Sequence, residues 1–343
     1  MAISSGLGSS ALLPAGLGFR NVLINGDFRI NQRGFSSTTT SDAYGFDRWT
    51  ILTGGGLTYS AQTFTAGNAI PGQEPINFAR LATSGQSASS AYSIFTQKIE
   101  GVRTCAGQPV TISFWAKAAS GTPKVAIELA QVFGTSGSAS VDTYINQVTL
   151  STSWVRYVVN TIVPSISGKT VGTANDYFGL TLWTSAGSNF NARTGSLGIQ
   201  NSTIDFWGVQ LEQNLQPTPF EQRPIGVELA LCQRYYQRVT AVGATGTIAK
   251  LTSLGVQSST TTASFVTLFS PAMRSAPTMS GAGAEVSDDT TFAAVIYTLS
   301  LANATGLTGQ VIATHGAAGA TNRPTYIRAS VNNTAYIDYS AEL

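Results

Sequence analysis

Charge is scarce in this chain. Lysine, arginine, aspartate and glutamate make up 10% of its 343 residues, against about 25% in a typical soluble domain. The two signs nearly cancel, at 19 basic and 17 acidic residues. No basic run or stripe is present, and this excludes nucleic acid as the main partner, because neutralising phosphates takes clustered Lys and Arg. His315 is the single histidine. Any Ser-His-Asp, Cys-His or His-based metal machinery would have to run through it. Its flanks, GQVIATHGAAG, place it at a strand end or in a loop, where it reads as an ordinary surface or loop histidine. The two cysteines, Cys105 and Cys232, lie far apart in no ligand-like spacing and read as isolated buried thiols. No apolar run is long enough to cross a bilayer as a helix. No phosphate loop, dinucleotide fingerprint or nucleophile elbow occurs.

What is abundant is apolar bulk, 43% of the chain, together with 35 glycines and many Ser and Thr residues. The length suits two or three domains, each able to bury a core. Residues 1–18, MAISSGLGSSALLPAGLG, lack the basic start and apolar centre of a signal peptide. They read as a flexible arm whose Ala11, Leu12 and Leu13 patch could anchor on a neighbouring subunit.

From Phe19 the pattern is β for some two hundred residues. FRNVLINGDFRI carries an Asn25-Gly26-Asp27 turn between apolar runs. LTYSAQTF, NFARLATS, AYSIFTQKI, KVAIELAQVFG and DYFGLTLWTS are strand-length segments, and PVTISFWAKAA sets Val110, Ile112, Phe114 and Ala116 on one face. Strict alternation along TIDFWGVQLE would send Ile204, Phe206, Gly208, Gln210 and Glu212 one way, and Asp205, Trp207, Val209 and Leu211 the other. Pro217 and Pro219 end that strand. Beyond Pro224, the residues Ile225, Leu229, Cys232, Tyr236 and Val239 recur at helical spacing. One of Tyr235 and Tyr236 is expected to pack under this helix and the other to face a neighbouring subunit. Strand-length runs then resume to the end. The expected fold is all-β: an N-terminal jelly-roll β-sandwich over 19–222, a short linking helix over 223–240, and a smaller C-terminal β-sandwich over 241–343.

Three groups of residues resemble a known family. Arg20-Asn21, Asn25-Gly26-Asp27-Phe28 and Tyr44-Gly45-Phe46-Asp47-Arg48-Trp49 are similar to the opening of carbohydrate-binding-type jelly rolls in bacteriophage tail-fibre and minor virion structural proteins. Trp207-Gly208-Val209-Gln210-Leu211-Glu212, Pro219-Phe220-Glu221 and Leu231-Cys232-Gln233-Arg234-Tyr235-Tyr236 resemble the way that jelly roll closes and passes to its C-terminal module. Met273-Arg274-Ser275-Ala276-Pro277-Thr278 and Ser340-Ala341-Glu342-Leu343 resemble parts of that module.

The resemblance implies a protein of the virion, on the phage tail or capsid surface. It implies a homotrimeric tail fibre or receptor-binding appendage that recognises host surface polysaccharide, with residues 1–18 contacting other virion proteins. An alternative is a head decoration or capsid-surface fibre protein held by that arm. A third is a glycan depolymerase, for which Glu100, Glu128, Asp205 and Glu212 are the candidate carboxylates. The chain is expected to bind rather than to catalyse, so no catalytic or receptor-contacting residue is assigned. Trp49, Trp115, Trp154, Trp183, Trp207, Tyr44, Tyr59, Tyr92 and Tyr177 offer faces for sugar stacking wherever they escape the core. Similar jelly rolls hold a structural calcium where the first loop meets the last strand. Asp27 and Asp205 occupy those places here, with Asn25 and nearby carbonyls as further oxygens. Alternatively, Asp27 makes its own turn and Asp205 pairs with an arginine such as Arg20 or Arg29. Beyond that ion no cofactor is implied, and neither a membrane nor nucleic acid is a partner.

Overall fold

The computed structural model describes residues 19–67, 70–241, 249–288, 293–316, 318–329 and 334–343. The arm expected at 1–18 lies outside the described residues. The fold is all-β, built from sheets packed face to face.

The first body contains β1 (Ser37–Thr38), β2 (Thr50–Thr53), β3 (Gly56–Thr63), β4 (Asn77–Ser84), β5 (Tyr92–Glu100), β6 (Pro109–Ala118), β7 (Lys124–Val132), β8 (Val141–Thr149), β9 (Val155–Ile162), β10 (Tyr177–Ala186) and β11 (Thr203–Glu212). They form a six-stranded sheet, ordered β1-β3-β4-β11-β6-β9, and a five-stranded sheet, ordered β2-β5-β10-β7-β8. Period-2 alternation supplies the core between them: Val110, Ile112, Phe114 and Ala116 from β6 meet Phe178, Leu180 and Leu182 from β10, all buried. Trp49 stacks on Phe95 at 4.7 Å, and its indole N–H donates to the Asn25 carbonyl at 3.0 Å. Each such ring contributes about 1.5–3 kcal/mol by leaving water.

Two local expectations need correction. Alternation along β11 breaks at a bulge between Trp207 and Gln210, where Gly208 adopts φ +62°. The extra residue re-aims the rest of the strand, so Val209 and Leu211 join Ile204 and Phe206 in the core. Gln210 and Glu212 face the linker instead and hold Thr218 and Glu221. The turn expected at Asn25-Gly26-Asp27 is present, with the Phe28 N–H donating to the Asn25 carbonyl at 3.1 Å, but the segment FRNVLINGDFRI around it is an irregular strap sealed by buried amides rather than strand. Asn25 bonds both the N–H and the carbonyl of Ile30, and Asn21 bonds the Val209 carbonyl. Gly26 is required there, since a Cβ would sit 2.1 Å from the Val209 carbonyl oxygen.

The linking helix is shorter than its apolar spacing predicts. After a four-residue helix within the first body, α1 (Asn191–Thr194), comes α2 (Ile225–Gln233), and Tyr236 and Val239 belong to β12 (Tyr236–Thr240). Pairing with a later strand and burial of both tyrosine rings win over helical continuation. Neither Tyr235 nor Tyr236 faces outward: Arg48 lies 3.5 Å over the first ring and Arg33 3.6 Å over the second.

The second body has β13 (Gly255–Ser259), β14 (Thr262–Leu268), β15 (Thr278–Ala282), β16 (Ala284–Ser287), β17 (Ala293–Ala302), β18 (Thr308–His315), β19 (Pro324–Ala329) and β20 (Tyr336–Ser340). Its six strands β13-β14-β18-β17-β16-β19 close into a barrel, beside a sheet ordered β12-β20-β15. His315 is not at the surface. It continues the inward row Val311, Ala313, His315 of β18, is 2% exposed, and has the Gln257 side-chain amide 2.6 Å from its Nε2. Both cysteine thiols are free and buried, as their isolation predicts.

The two bodies meet at a polar joint. Glu342 ion-pairs with the buried Arg48 and, at 3.2 Å, with Arg33. The Leu343 carbonyl accepts from Tyr44 at 3.0 Å and from Lys98 at 2.6 Å. Arg234 grips Glu100 through two bonds of 2.9 and 2.8 Å. The motifs around Tyr44–Trp49, Arg234–Tyr236 and Ser340–Leu343 are thus parts of one contact.

Candidate functional site

The outward face of the five-stranded sheet carries a groove of about 490 Å3. On β10 the outward row is Tyr177, Gly179, Thr181 and Trp183, alternating with the core row Phe178, Leu180 and Leu182. On β5 it is Tyr92, Ile94, Thr96 and Lys98. The register sets Gly179 beside Lys98, Thr181 beside Thr96 and Trp183 beside Ile94. The floor is therefore small and hydroxyl-bearing in the middle, with aromatic rings towards both ends. Ala130 and Val132 of β7 and Asp142 of β8 continue it sideways.

One end is covered. A single 3-10 turn, Ser188–Phe190, leads into α1, and Phe190 packs at 5.2 Å on Tyr92 and 5.3 Å on Trp183. Arg193 of α1 then grips Glu128 through bonds of 3.0 and 2.6 Å and reaches Asp142 at 3.3 Å. Glu128 also accepts from the Trp183 indole at 3.1 Å. Burial pushes the Glu128 carboxyl above its ordinary range, and the Arg193 guanidinium opposes this. At the opposite end burial lowers the Lys98 ammonium, which is tied to the second body through Leu343.

This layout can place sugar rings against aromatic faces and sugar hydroxyls against Thr96 and Thr181. Of the aromatic residues named above, Tyr92 and Tyr177 present partly exposed rings to the groove, whereas Trp183 lies beneath it, buried under Phe190. Trp49, Tyr59 and Trp207 are core. Trp115 and Trp154 pack partly buried against that core, and Tyr44 bonds Leu343 in the joint. Sequence reasoning missed Phe190, Thr96 and Thr181 as a set. The signal was the Tyr-x-Gly-x-Thr-x-Trp alternation in β10, in which the row opposite the core is aromatic and small rather than charged.

The four candidate carboxylates are held by different partners. Glu100 binds Arg234 and the Tyr235 hydroxyl, and Glu128 binds Arg193. Asp205 takes Arg80 through two bonds of 2.7 and 2.9 Å, with Lys117 at 3.7 Å. Glu212 accepts from Thr218 and Gln210.

Asp27 sits in the strap, ion-paired with Arg29, and burial raises its carboxyl with Arg29 pulling the other way. Calcium requires six to eight oxygens. Here Asp27 and Asp205 each face a guanidinium whose N–H groups point where an ion would sit, and Asn25 is committed to Ile30 and Asp47. Among the described residues no group of three or more His, Cys, Asp or Glu side chains gathers as metal ligands. These donors do not suit a calcium ion.

No protein-family model matches the chain, and no curated protein sequence matches it. Among solved structures, it is similar to the enzymatically active domain of tailspike protein 4 from bacteriophage CBA120, at 14% identity and a TM-score of 0.33, over 57% of this chain and 21% of that one. It is similar to the family 11 carbohydrate-binding module from Clostridium thermocellum, at 12% identity and a TM-score of 0.32, over 53% of this chain and 99% of the module. The CBM22-2 xylan-binding domain from Paenibacillus barcinonensis gives 17% identity and a TM-score of 0.33, over 52% and 98%. The chain spans only 21% and 29% of the first two structures it matches, the second being a Clostridium thermocellum xylanase with its binding module. Its structural neighbours thus include a phage tailspike domain and several carbohydrate-binding modules.

Proposed function

We propose that the chain is a glycan-binding component of a bacteriophage particle, a homotrimeric tail fibre or similar receptor-binding appendage, and that it works by adhesion rather than turnover. The observation that carries the glycan reading is the groove: aromatic faces at Tyr92 and Tyr177 flank a hydroxyl-bearing floor. Adhesion is favoured because both carboxylates at the groove, Glu128 beneath it and Asp142 beside it, are already paired with Arg193. The place on a phage surface rests on the resemblance of the Tyr44–Trp49, Trp207–Glu212 and Ser340–Leu343 motifs.

Assembly rests on the barrel. Its strands β13, β14, β17 and β18 contain no Lys, Arg, Asp or Glu. Their outer face exposes Val256, Val266, Leu268, Val295 and Tyr297, and an apolar trough of about 590 Å3 runs beside Leu254, Val266 and Gln310. Uncharged apolar faces of this kind suit packing against further copies of the same chain. Three grooves on one particle would turn weak contacts into firm attachment.

The test is binding to immobilised polysaccharides by the intact protein and by Tyr177→Ala. Removing this ring should weaken binding roughly tenfold or more. Equal binding by the variant would discard the groove as the site.

A further inference from the structure

We infer that the apolar trough on the outer side of α2 seats this chain's own N-terminal segment around Ala11-Leu12-Leu13. Glycan binding plays no part in it. A surface helix normally turns its charge outward and its apolar side chains inward. In α2, IGVELALCQ, that order is reversed. Its one charged side chain, Glu228, is buried and held by Arg223 at 3.2 Å. Its outward side shows Ile225, 54% exposed, and Val227, 36% exposed.

Gly226, Val227, Ala230 and Leu231 line a trough of about 540 Å3, together with Pro271 and Ala272 of the second body. The one charge on its lining, Arg234, is already paired with Glu100 at 2.8 Å. A Cβ on Gly226 would meet nothing within 4 Å. No described neighbour calls for a glycine there, and glycine weakens a helix. A further stretch of chain laid across α2 would use the room.

Position, reach and charge name the occupant. The N–H groups of Arg20 and Asn21 donate to Glu221 at 3.1 and 3.0 Å, and the Arg223 guanidinium lies 4.7 Å from the Phe19 ring. Glu221 and Arg223 lead directly into α2, so the chain that precedes Phe19 departs beside the helix. The seven residues from Phe19 back to Leu12 span about 23 Å when extended. The nine residues of α2 are about 14 Å long. The trough of the same copy is therefore within reach. Residues 1–18 contain no Lys, Arg, Asp or Glu, and Ala11-Leu12-Leu13-Pro14 is their densest apolar run. Such a segment covers the trough without desolvating a charge. The anchoring patch then serves the copy that carries it rather than a neighbour.

The test uses the full chain. Thermolysin cuts ahead of leucine, so the rate of cleavage at Leu12 and Leu13 reports whether the segment is seated. Val227→Asp puts a carboxylate into the seat, at a first-turn position where an acid suits a helix. Cleavage should quicken about tenfold or more, with near-ultraviolet circular dichroism unchanged. Equal rates in variant and parent overturn the inference and leave the trough to another protein or a second copy. Leu12→Cys combined with Val227→Cys supplies a second arm, since Cys105 and Cys232 are buried. Mild oxidation should join the two new thiols within one chain, giving a single-chain band on a denaturing gel run without reductant. A link between two chains puts a neighbour's segment in the seat and overturns the assignment to the same copy. A link of neither kind overturns the seat itself.

Discussion

The two bodies solve the problem of apolar surface in opposite ways. The first buries it in a core of large rings, with Phe28, Phe46, Trp49, Phe95, Phe114 and Phe206 in mutual contact, and ties its acidic groups to arginines. The second has a core of small residues, among them Ala263, Ala313, Ala329, Ala335 and Ala341, with Phe265, Phe269 and Tyr339 as its buried rings. It leaves Leu268 77% and Tyr297 73% exposed. The first body also leaves apolar side chains outward, Ile76 and Ile162 among them, but fewer for its size. The barrel carries apolar bulk outward, on the face that the proposed assembly would cover.

That contrast can be broken in three places. The largest effect is expected inside the first body: Trp49→Ala removes the ring stacked on Phe95 and should cost about 3–5 kcal/mol in denaturant unfolding. A loss below ~1 kcal/mol would mean that the ring core does not carry this body. Next comes the joint. Glu342→Ala strands the buried Arg48 and should cost about 3 kcal/mol, at the low end because Arg48 keeps the Lys98 carbonyl and the Tyr235 ring. A double-mutant cycle with Arg48→Met measures the pair directly, and a coupling near zero would show that the bodies dock by other contacts. The smallest effect on a single chain is expected at the barrel face. Val266→Lys should change folding stability by no more than about 0.5 kcal/mol yet dissociate the proposed trimer in sedimentation. If the variant sediments like its parent, the barrel face does not carry the proposed assembly.

Much of the architecture was legible because period-2 alternation is a direct imprint of a sheet with one dry side. The segments around Val110–Ala116 and Phe178–Leu182 announced both sheets of the first body. What escaped depended on single residues with non-local partners. Gly208 reverses the facing of β11 through a bulge that alternation cannot reveal. Asn21 and Asn25 turn an apolar run into a strap by satisfying backbone groups far along the chain. The helical spacing of Tyr236 and Val239 was real but lost to pairing with β20. His315 looked exposed because of its glycine neighbours, although the inward parity of β18 decides its place. The groove was half visible. Its rings stood out by type, but only the fold of the chain over Trp183 shows which of them meet.

Strand β20 is the middle member of its sheet, flanked by β12 and β15, and the residues after it reach back to Tyr44, Arg48 and Lys98. The final segment therefore both completes the rear sheet and helps to hold the two bodies together, whereas every strand of the front sandwich lies before residue 213. A chain cut short of Tyr336 would keep all the strands of the front sandwich, yet lose the centre of the rear sheet and the grip of Glu342 on Arg48.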